Sequence, residues 1–241
     1  MTKEVIVLLP GYDGNGNGTF SKLSQLLSKK YNCIIINYPY YLQTNHTYTL
    51  SELNRYLNKL IKDRHHTKFH LLGFSMGGFV ATSYALTHPR DILSLTLVSS
   101  SARPHLSYLS NLLLSLAYYL FKVTLIAKLF SIAYTSKLLR PLTKVSPLPL
   151  PRENFPSDEG YPVFGTLANV MQGSINSNTD NVIEELNCPK RAILFKDDSS
   201  FPADTYAPIL TNLGFRVIVK NTGGHAVSPD YWDKVSDSLY R

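Results

Sequence analysis

Short apolar runs alternate with longer amphipathic segments along most of this 241-residue chain. The runs have the length and β-branched content of buried strands, and the segments between them repeat apolar residues at helical spacing. Strands are predicted at residues 5–9, 33–36, 69–72, 92–98, 192–195 and 215–219. Helices are predicted at residues 20–29, 50–64, 76–87, 202–213 and 230–240. This alternation predicts an α/β fold, in which helices cover both faces of a doubly wound, mostly parallel sheet.

The regular spacing fails once, because about 90 residues separate the fourth predicted strand from the fifth. Residues 106–134 are helical in composition and apolar nearly all round, whereas residues 141–162 contain six prolines and predict an irregular loop. We interpret residues 103–180 as a helical lid inserted between these strands, and residues 1–102 and 181–241 as the core. The alternative, that the inserted segment only packs on the sheet, stays open.

The sequence predicts neither a membrane span nor an export signal. The uncharged stretch 106–121 has 16 residues, about 24 Å as a helix, whereas a span needs about 20 apolar residues. The first apolar run is also too short for a signal peptide, since Pro10 ends it. Cys33 and Cys188 are too few for a disulfide scaffold and lack metal-site spacing. We therefore expect a cytoplasmic protein.

The net charge of +7 is concentrated in one segment. Residues 101–152 hold seven of the 24 basic residues and none of the 17 acidic ones. One interpretation is a set of solvated helix faces, and the other is a docking surface for an anionic partner. We expect no nucleic-acid partner.

One segment combines a strand, a tight turn and a helix around a serine. The predicted strand 69–72 runs into Gly73-Phe74-Ser75-Met76-Gly77, and a helical segment follows. A G-x-S-x-G pattern alone is weak evidence, but this context is the one that a nucleophile elbow requires. The turn would lift the Ser75 hydroxyl above the sheet edge, at a helix N-terminus that favours negative charge.

A serine nucleophile needs a general base and a group that orients the base. Of the seven histidines, His225 is distinguished by its place in a glycine turn just after the last predicted strand. Asp197 and Asp198 follow the fifth strand, and ligands bind at this carboxyl edge of open α/β sheets. The chain order Ser, Asp, His is that of the α/β-hydrolases.

Several further motifs carry a likeness that spans nearly the whole chain. They are Leu9-Pro10-Gly11-Tyr12-Asp13-Gly14, Asp198-Ser199-Ser200-Phe201-Pro202, Gly224-His225, Ala85-Leu86-Thr87-His88-Pro89-Arg90 and Leu97-Val98-Ser99-Ser100. With the elbow, they resemble the α/β-hydrolase superfamily. The last two resemble in particular its serine carboxylesterase branch, which contains the pimeloyl-carrier-protein methyl ester esterases of biotin synthesis.

The resemblance implies a role for each candidate. Ser75 would be the nucleophile, His225 the base and Asp198 the orienting acid, while the backbone N–H groups of Tyr12 and Met76 would form the oxyanion hole. The chain departs from the family where Pro10 replaces a histidine and Phe195 replaces a glycine. The second departure leaves Asp197 open as an alternative acid.

The substrate is predicted from the inserted segment and the rim of the cleft. The residues expected to contact substrate are Gly11, Phe74, Leu112, Leu116 and Tyr119. The residues expected to dock a carrier are Lys122, Lys128, Lys137 and Arg140. The alternatives are an acyl ester on an acidic acyl-carrier protein, a lipid or monoacylglycerol ester at a membrane surface, and a small soluble ester. A hydrolase-fold protein that binds a ligand without catalysis is the remaining hypothesis.

Residues 13–18 match the first half of an EF-hand calcium loop. The twelfth position is Ser24 rather than the bidentate glutamate, and a strand precedes the loop where a helix should lie. We interpret the segment as a flexible Gly/Asn turn, and we predict no metal and no cofactor.

Overall fold

Six parallel strands form one sheet in the part of the chain that the computed structural model describes, residues 3–42, 46–64, 67–105, 160–177 and 182–240 with Leu116 and Tyr119. The strands are β1 Glu4–Leu9, β2 Tyr31–Ile35, β3 Phe69–Phe74, β4 Ile92–Val98, β5 Lys190–Phe195 and β6 Arg216–Lys220. Their order is β2-β1-β3-β4-β5-β6. The direction of winding reverses between β1 and β3, and such a switch point opens a crevice at the carboxyl ends of the strands.

Helices cover both faces of this sheet. They are α1 Gly16–Leu27, α2 Pro39–Leu42, α3 Leu50–Asp63, α4 Met76–Thr87, α5 Gly160–Asn176, α6 Ala203–Asn212 and α7 Tyr231–Leu239, with a short 3₁₀ turn at Pro89–Asp91. Apolar side chains of α1 and α7 pack on one face, and those of α3, α4, α5 and α6 pack on the other. The predicted doubly wound α/β fold is confirmed.

Local sequence explains where the helices begin. Thr49 and Glu52 form a reciprocal capping box at the start of α3, so two free N–H groups of the first turn are satisfied. Asn15 caps α1 through its side-chain oxygen, which accepts the N–H of Gly18 at 2.8 Å. Helix α1 therefore begins at Gly16, four residues before the predicted start.

Helix α5 overlaps the predicted irregular loop and corrects it at its last three residues, 160–162, whereas residues 141–159 lie outside the described residues. It begins at Gly160 and includes Pro162 in its first turn, where a proline costs no helical hydrogen bond. Leu167, Val170 and Met171 on this helix belong to the same buried cluster as α3 and α4. The end of the inserted segment thus packs on the core, and the lid boundaries stay a prediction. Among the described helices, none combines the length and the hydropathy that a membrane span requires.

Candidate active site

Ser75 occupies the turn between β3 and α4. Its φ of 53° is left-handed, which is rare for a residue with a side chain and marks local strain. A Cβ on Gly73 would overlap the backbone of Gly77 and Gly78, and one on Gly77 would overlap the carbonyls of Leu9 and Pro10. The tight turn therefore requires small residues at the predicted positions.

His225 reaches Ser75 from the loop after β6. The Ser75 hydroxyl lies 2.9 Å from Nε2 of His225, although 150 residues separate the two in sequence. Gly224 and Ala226 flank the histidine in left-handed conformations, with φ of 58° and 62°. The structure thus brings together the predicted serine and histidine.

Asp198, rather than Asp197, contacts the imidazole. Its carboxylate oxygens lie 3.0 and 3.2 Å from Nδ1 of His225, and the N–H groups of Ser200 and Phe201 donate to Oδ1 at 2.8 and 3.0 Å. Because Nδ1 faces a carboxylate, it carries the proton and leaves Nε2 free to accept from Ser75.

Asp198 is 1% exposed, and its charge is maintained by its partners. Burial, the largest single influence, raises the pKa of this carboxyl, but the hydrogen bond from His225 and its charge when protonated lower it. The N–H of Phe201 and the Ser99 hydroxyl act in the same direction, so that the pKa lies below its usual range. A carboxylate at this place is therefore ionised at neutral pH.

Two aromatic rings pack against the ring of His225. The centroid of the His225 ring lies 5.0 Å from that of Phe74 and 5.8 Å from that of Phe201. Phe74, which was predicted to contact substrate, thus also packs against the predicted base.

The loop after β1 lies beside the serine. A Cβ on Gly11 would be 3.5 Å from Cβ of Ser75, which places the loop of Tyr12 next to the hydroxyl. The Tyr40 hydroxyl donates to the carbonyl of Tyr12 at 2.8 Å and so holds the peptide unit between Tyr12 and Asp13, next to the Tyr12 N–H. Met76 is the first residue of α4, where backbone N–H groups are free of helical partners. The oxyanion role of Tyr12 and Met76 stays a prediction that this geometry supports.

The sequence interpretation assigned no role to three polar residues behind the site. The Tyr231 hydroxyl donates to Oγ of Ser99 at 2.7 Å, and Ser99 in turn lowers the pKa of Asp198. The Ser100 hydroxyl donates to the carbonyl of Ser75 at 2.6 Å. The pair Ser99-Ser100 at the carboxyl end of β4 was a usable signal, because this end adjoins the elbow.

Comparison with protein families identifies the fold. The sequence model described as alpha/beta hydrolase fold matches residues 4–134. The chain belongs to the α/β hydrolase fold family. Comparison with curated proteins gives no significant match.

Several solved structures of other proteins resemble the chain over nearly its whole length. An esterase from Exiguobacterium antarcticum has 20% identity and a TM-score of 0.67, over 99% of this chain and 91% of its own. A thermophilic esterase from Thermogutta terrifontis has 15% identity and a TM-score of 0.70, over 99% and 89%. MenH from S. aureus has 17% identity and a TM-score of 0.68, over 100% and 93%. At these identities the likeness concerns the fold.

Two of the residues predicted to contact substrate from the predicted lid lie among the described residues. Leu116 and Tyr119 are helical and exposed, at 53% and 65% of their surface. The other lid residues predicted to contact substrate or a carrier, Leu112, Lys122, Lys128, Lys137 and Arg140, lie outside the described residues. Their roles stay predictions.

Two asparagines of residues 13–18, the segment that resembles half a calcium loop, make hydrogen bonds that support the fold. Asn15 caps α1, and the N–H of Asn17 donates to the side chain of Asn37 at 3.0 Å. Burial raises the pKa of Asp13 to about 6. Within the described ranges, no three side chains group as metal ligands.

Proposed function

We propose that this protein is a serine hydrolase that cleaves carboxylic esters through an acyl-enzyme on Ser75. The observation that carries the proposal is the continuous hydrogen-bond chain from Ser75 Oγ through His225 to Asp198. A serine at its ordinary pKa is a weak nucleophile, and a neutral imidazole at 2.9 Å is the base that activates it. The presence of esterases among similarly folded proteins adds support, although this likeness concerns the fold.

The first half of the reaction forms the acyl-enzyme. Ser75 Oγ attacks the ester carbonyl carbon while Nε2 of His225 takes the hydroxyl proton. The carbonyl oxygen becomes an oxyanion, for which the N–H groups of Tyr12 and Met76 are the proposed donors. When the tetrahedral intermediate collapses, the bond to the ester oxygen breaks and the alcohol leaves with the proton from Nε2.

Water completes the cycle by the same route. His225 takes a proton from water, the resulting hydroxide attacks the acyl carbon, and Ser75 leaves with the proton from Nε2. Asp198 stays ionised throughout, holds the imidazole tautomer and balances the charge of the imidazolium. The products are a carboxylic acid and an alcohol.

Two reagents test the reaction class. We expect the protein to hydrolyse p-nitrophenyl acyl esters and to be labelled by a fluorophosphonate probe at Ser75, as located by mass spectrometry. Ser75→Ala should lose both the hydrolysis and the label. A wild-type protein that shows neither would instead be a ligand-binding member of the family.

The finer proposal concerns the ester that is cleaved in the cell. By its sequence likeness we propose a carrier-bound acyl ester, specifically pimeloyl-carrier-protein methyl ester. A chain-length series of soluble esters, run beside that substrate, compares it with small and lipid-like esters. Replacing Lys122, Lys128, Lys137 and Arg140 together with Ala should reduce cleavage of the carrier-bound ester alone. An equal loss with soluble esters would exclude docking by this segment.

A further inference from the structure

Asp197 contacts the backbone of the loop after β6 that carries His225, which we call the histidine loop. Its neighbour Asp198 contacts the imidazole instead. The N–H of Gly224 donates to its Oδ1 at 2.8 Å, and the N–H of Gly223 donates to its Oδ2 at 3.1 Å. The carboxylate thus bridges two consecutive amides of a chain segment 26 residues away. Consecutive N–H groups beside a left-handed residue form a concave site that suits an anion.

The histidine loop has a shape that needs such external support. Gly224 and Ala226 are both left-handed, and the latter has a side chain that disfavours this conformation. A Cβ on Gly223 would overlap the ring of Phe195, so this residue packs directly on the end of β5. Local backbone preference therefore does not select the conformation that aims His225 at Ser75.

A second anchor holds the start of the same loop. Nζ of Lys234 on α7 donates to the carbonyl of Thr222 at 2.9 Å and to its Oγ1 at 3.1 Å. The N–H of Gly224, that of Gly223 and the charge of Lys234 lower the pKa of Asp197. The bridging carboxylate is therefore in its charged form at neutral pH, in which each hydrogen bond is strongest.

We propose that Asp197 is a positioning residue for the reaction, which places His225 relative to Ser75 by holding the backbone N–H groups of residues 223 and 224. The proposal rests on the esterase function proposed above. The two adjacent acids then have different roles, since Asp198 orients the imidazole and Asp197 orients the loop that carries it. The hydrogen bonds of Asp197 go to the loop backbone, and those of the imidazole go to Asp198 and Ser75.

The experiment compares Asp197→Ala, Asp197→Asn and a matched control, Asp204→Ala, which removes an exposed acid from the start of α6. Because a displacement of about 1 Å costs on the order of 100-fold in rate, we expect Asp197→Ala to lower kcat for a p-nitrophenyl ester by about 10- to 100-fold. KM should stay within about twofold, since no substrate contact is removed. Asp197→Asn keeps one acceptor oxygen and should lose less than about tenfold.

Three kinetic results would overturn the proposal. The first is an Asp197→Ala enzyme whose kcat lies within twofold of the wild type and of the control. The second is an equal loss in the Ala and Asn variants, which would make the lost charge, rather than the hydrogen bonds, responsible. The third is a change in KM at constant kcat.

A measurement that needs no turnover separates this proposal from the proposed function. Hydrogen exchange of the Gly223 and Gly224 amides should be at least about tenfold faster in Asp197→Ala and unchanged in Asp204→Ala. Unchanged exchange in Asp197→Ala would overturn the positioning role. A wild-type protein without esterase activity but with the expected exchange would contradict only the esterase function.

Discussion

Two carboxyl groups, on Asp13 and Asp198, follow strands on opposite sides of β3, and their pKa values move in opposite directions. Asp13 belongs to the loop after β1, where burial raises its pKa to about 6 despite hydrogen bonds from the N–H groups of Asn15 and Gly14. Asp198 belongs to the loop after β5 and is 1% exposed, yet its pKa is lowered. The hydrogen-bond partners account for the difference, since the imidazole N–H of His225 donates to Asp198, whereas the groups that lower the pKa of Asp13 are backbone N–H groups.

The two sides also hold their shape by different means. The side formed by the ends of β1 and β3 depends on close backbone contact at Gly73 and Gly77. The side formed by the ends of β5 and β6 depends on charge-assisted hydrogen bonds of Asp197 and Asp198. The first side should thus respond to changes in side-chain volume, and the second to changes in charge and hydrogen bonding.

The largest expected effect concerns the acid of the β5–β6 side. Asp198→Asn keeps the volume but favours the wrong imidazole tautomer, and a comparable substitution in a serine protease lowers kcat by about 10⁴-fold. We expect a loss of that order in p-nitrophenyl ester hydrolysis, measured under saturating substrate. A loss below tenfold would mean that the hydrogen bond between Asp198 and His225 does not control the activity.

The next effect concerns the backbone contacts of the elbow. Gly73→Ala places a methyl group against the backbone of Gly77 and Gly78, which we expect to cost about 3 kcal/mol or more of unfolding free energy. Gly11→Ala is the matched control, because its Cβ meets Phe74 and Ser75 at an ordinary 3.5 Å. Urea unfolding measures both variants, and equal stabilities would contradict the steric origin of the elbow.

Much of this site was predictable because its signals are local. The elbow is a contiguous pattern of small residues between a strand and a helix, so Ser75 could be placed from sequence. His225 could be placed because the carboxyl ends of parallel strands share one edge. The predicted strands lie within about two residues of the observed ones.

The remainder depends on contacts between distant residues. Asp197 and Asp198 are adjacent, and only the course of the turn after β5 decides which of them faces His225. The Tyr231 hydroxyl reaches Ser99 across 132 residues of sequence, and no helix or strand periodicity predicts a contact at that separation. Helix α5 was missed because Pro162 indicates a break in a composition-based interpretation, whereas a proline in a first turn is tolerated.

The raised pKa of Asp13, on the β1–β3 side, makes the free energy of unfolding depend on pH. Its folded-state pKa of about 6 exceeds the ordinary value of 3.8, so folding favours the protonated carboxyl. Its contribution to stability is full below about pH 4 and is lost as the pH rises through 6, by at most about 3 kcal/mol. Asp13→Asn removes this titration. The difference in unfolding free energy between variant and wild type should therefore shift in favour of the variant between pH 4 and pH 8, and a constant difference would contradict the assignment.

The smallest effect concerns the hydrogen bond that holds the peptide of Tyr12. Tyr40→Phe removes the donor to the Tyr12 carbonyl and leaves the ring in its buried place, at a cost of about 1 kcal/mol in unfolding free energy. If this bond also aims the Tyr12 N–H at the oxyanion, kcat should fall several-fold while KM stays near its wild-type value. Tyr84→Phe is the control, because it removes a hydroxyl from a buried tyrosine on α4 whose partner is Asn58. An equal fall in kcat in both variants would mean that the β1–β3 side responds to a general loss of rigidity, whereas a fall confined to Tyr40→Phe would assign the effect to the Tyr12 peptide.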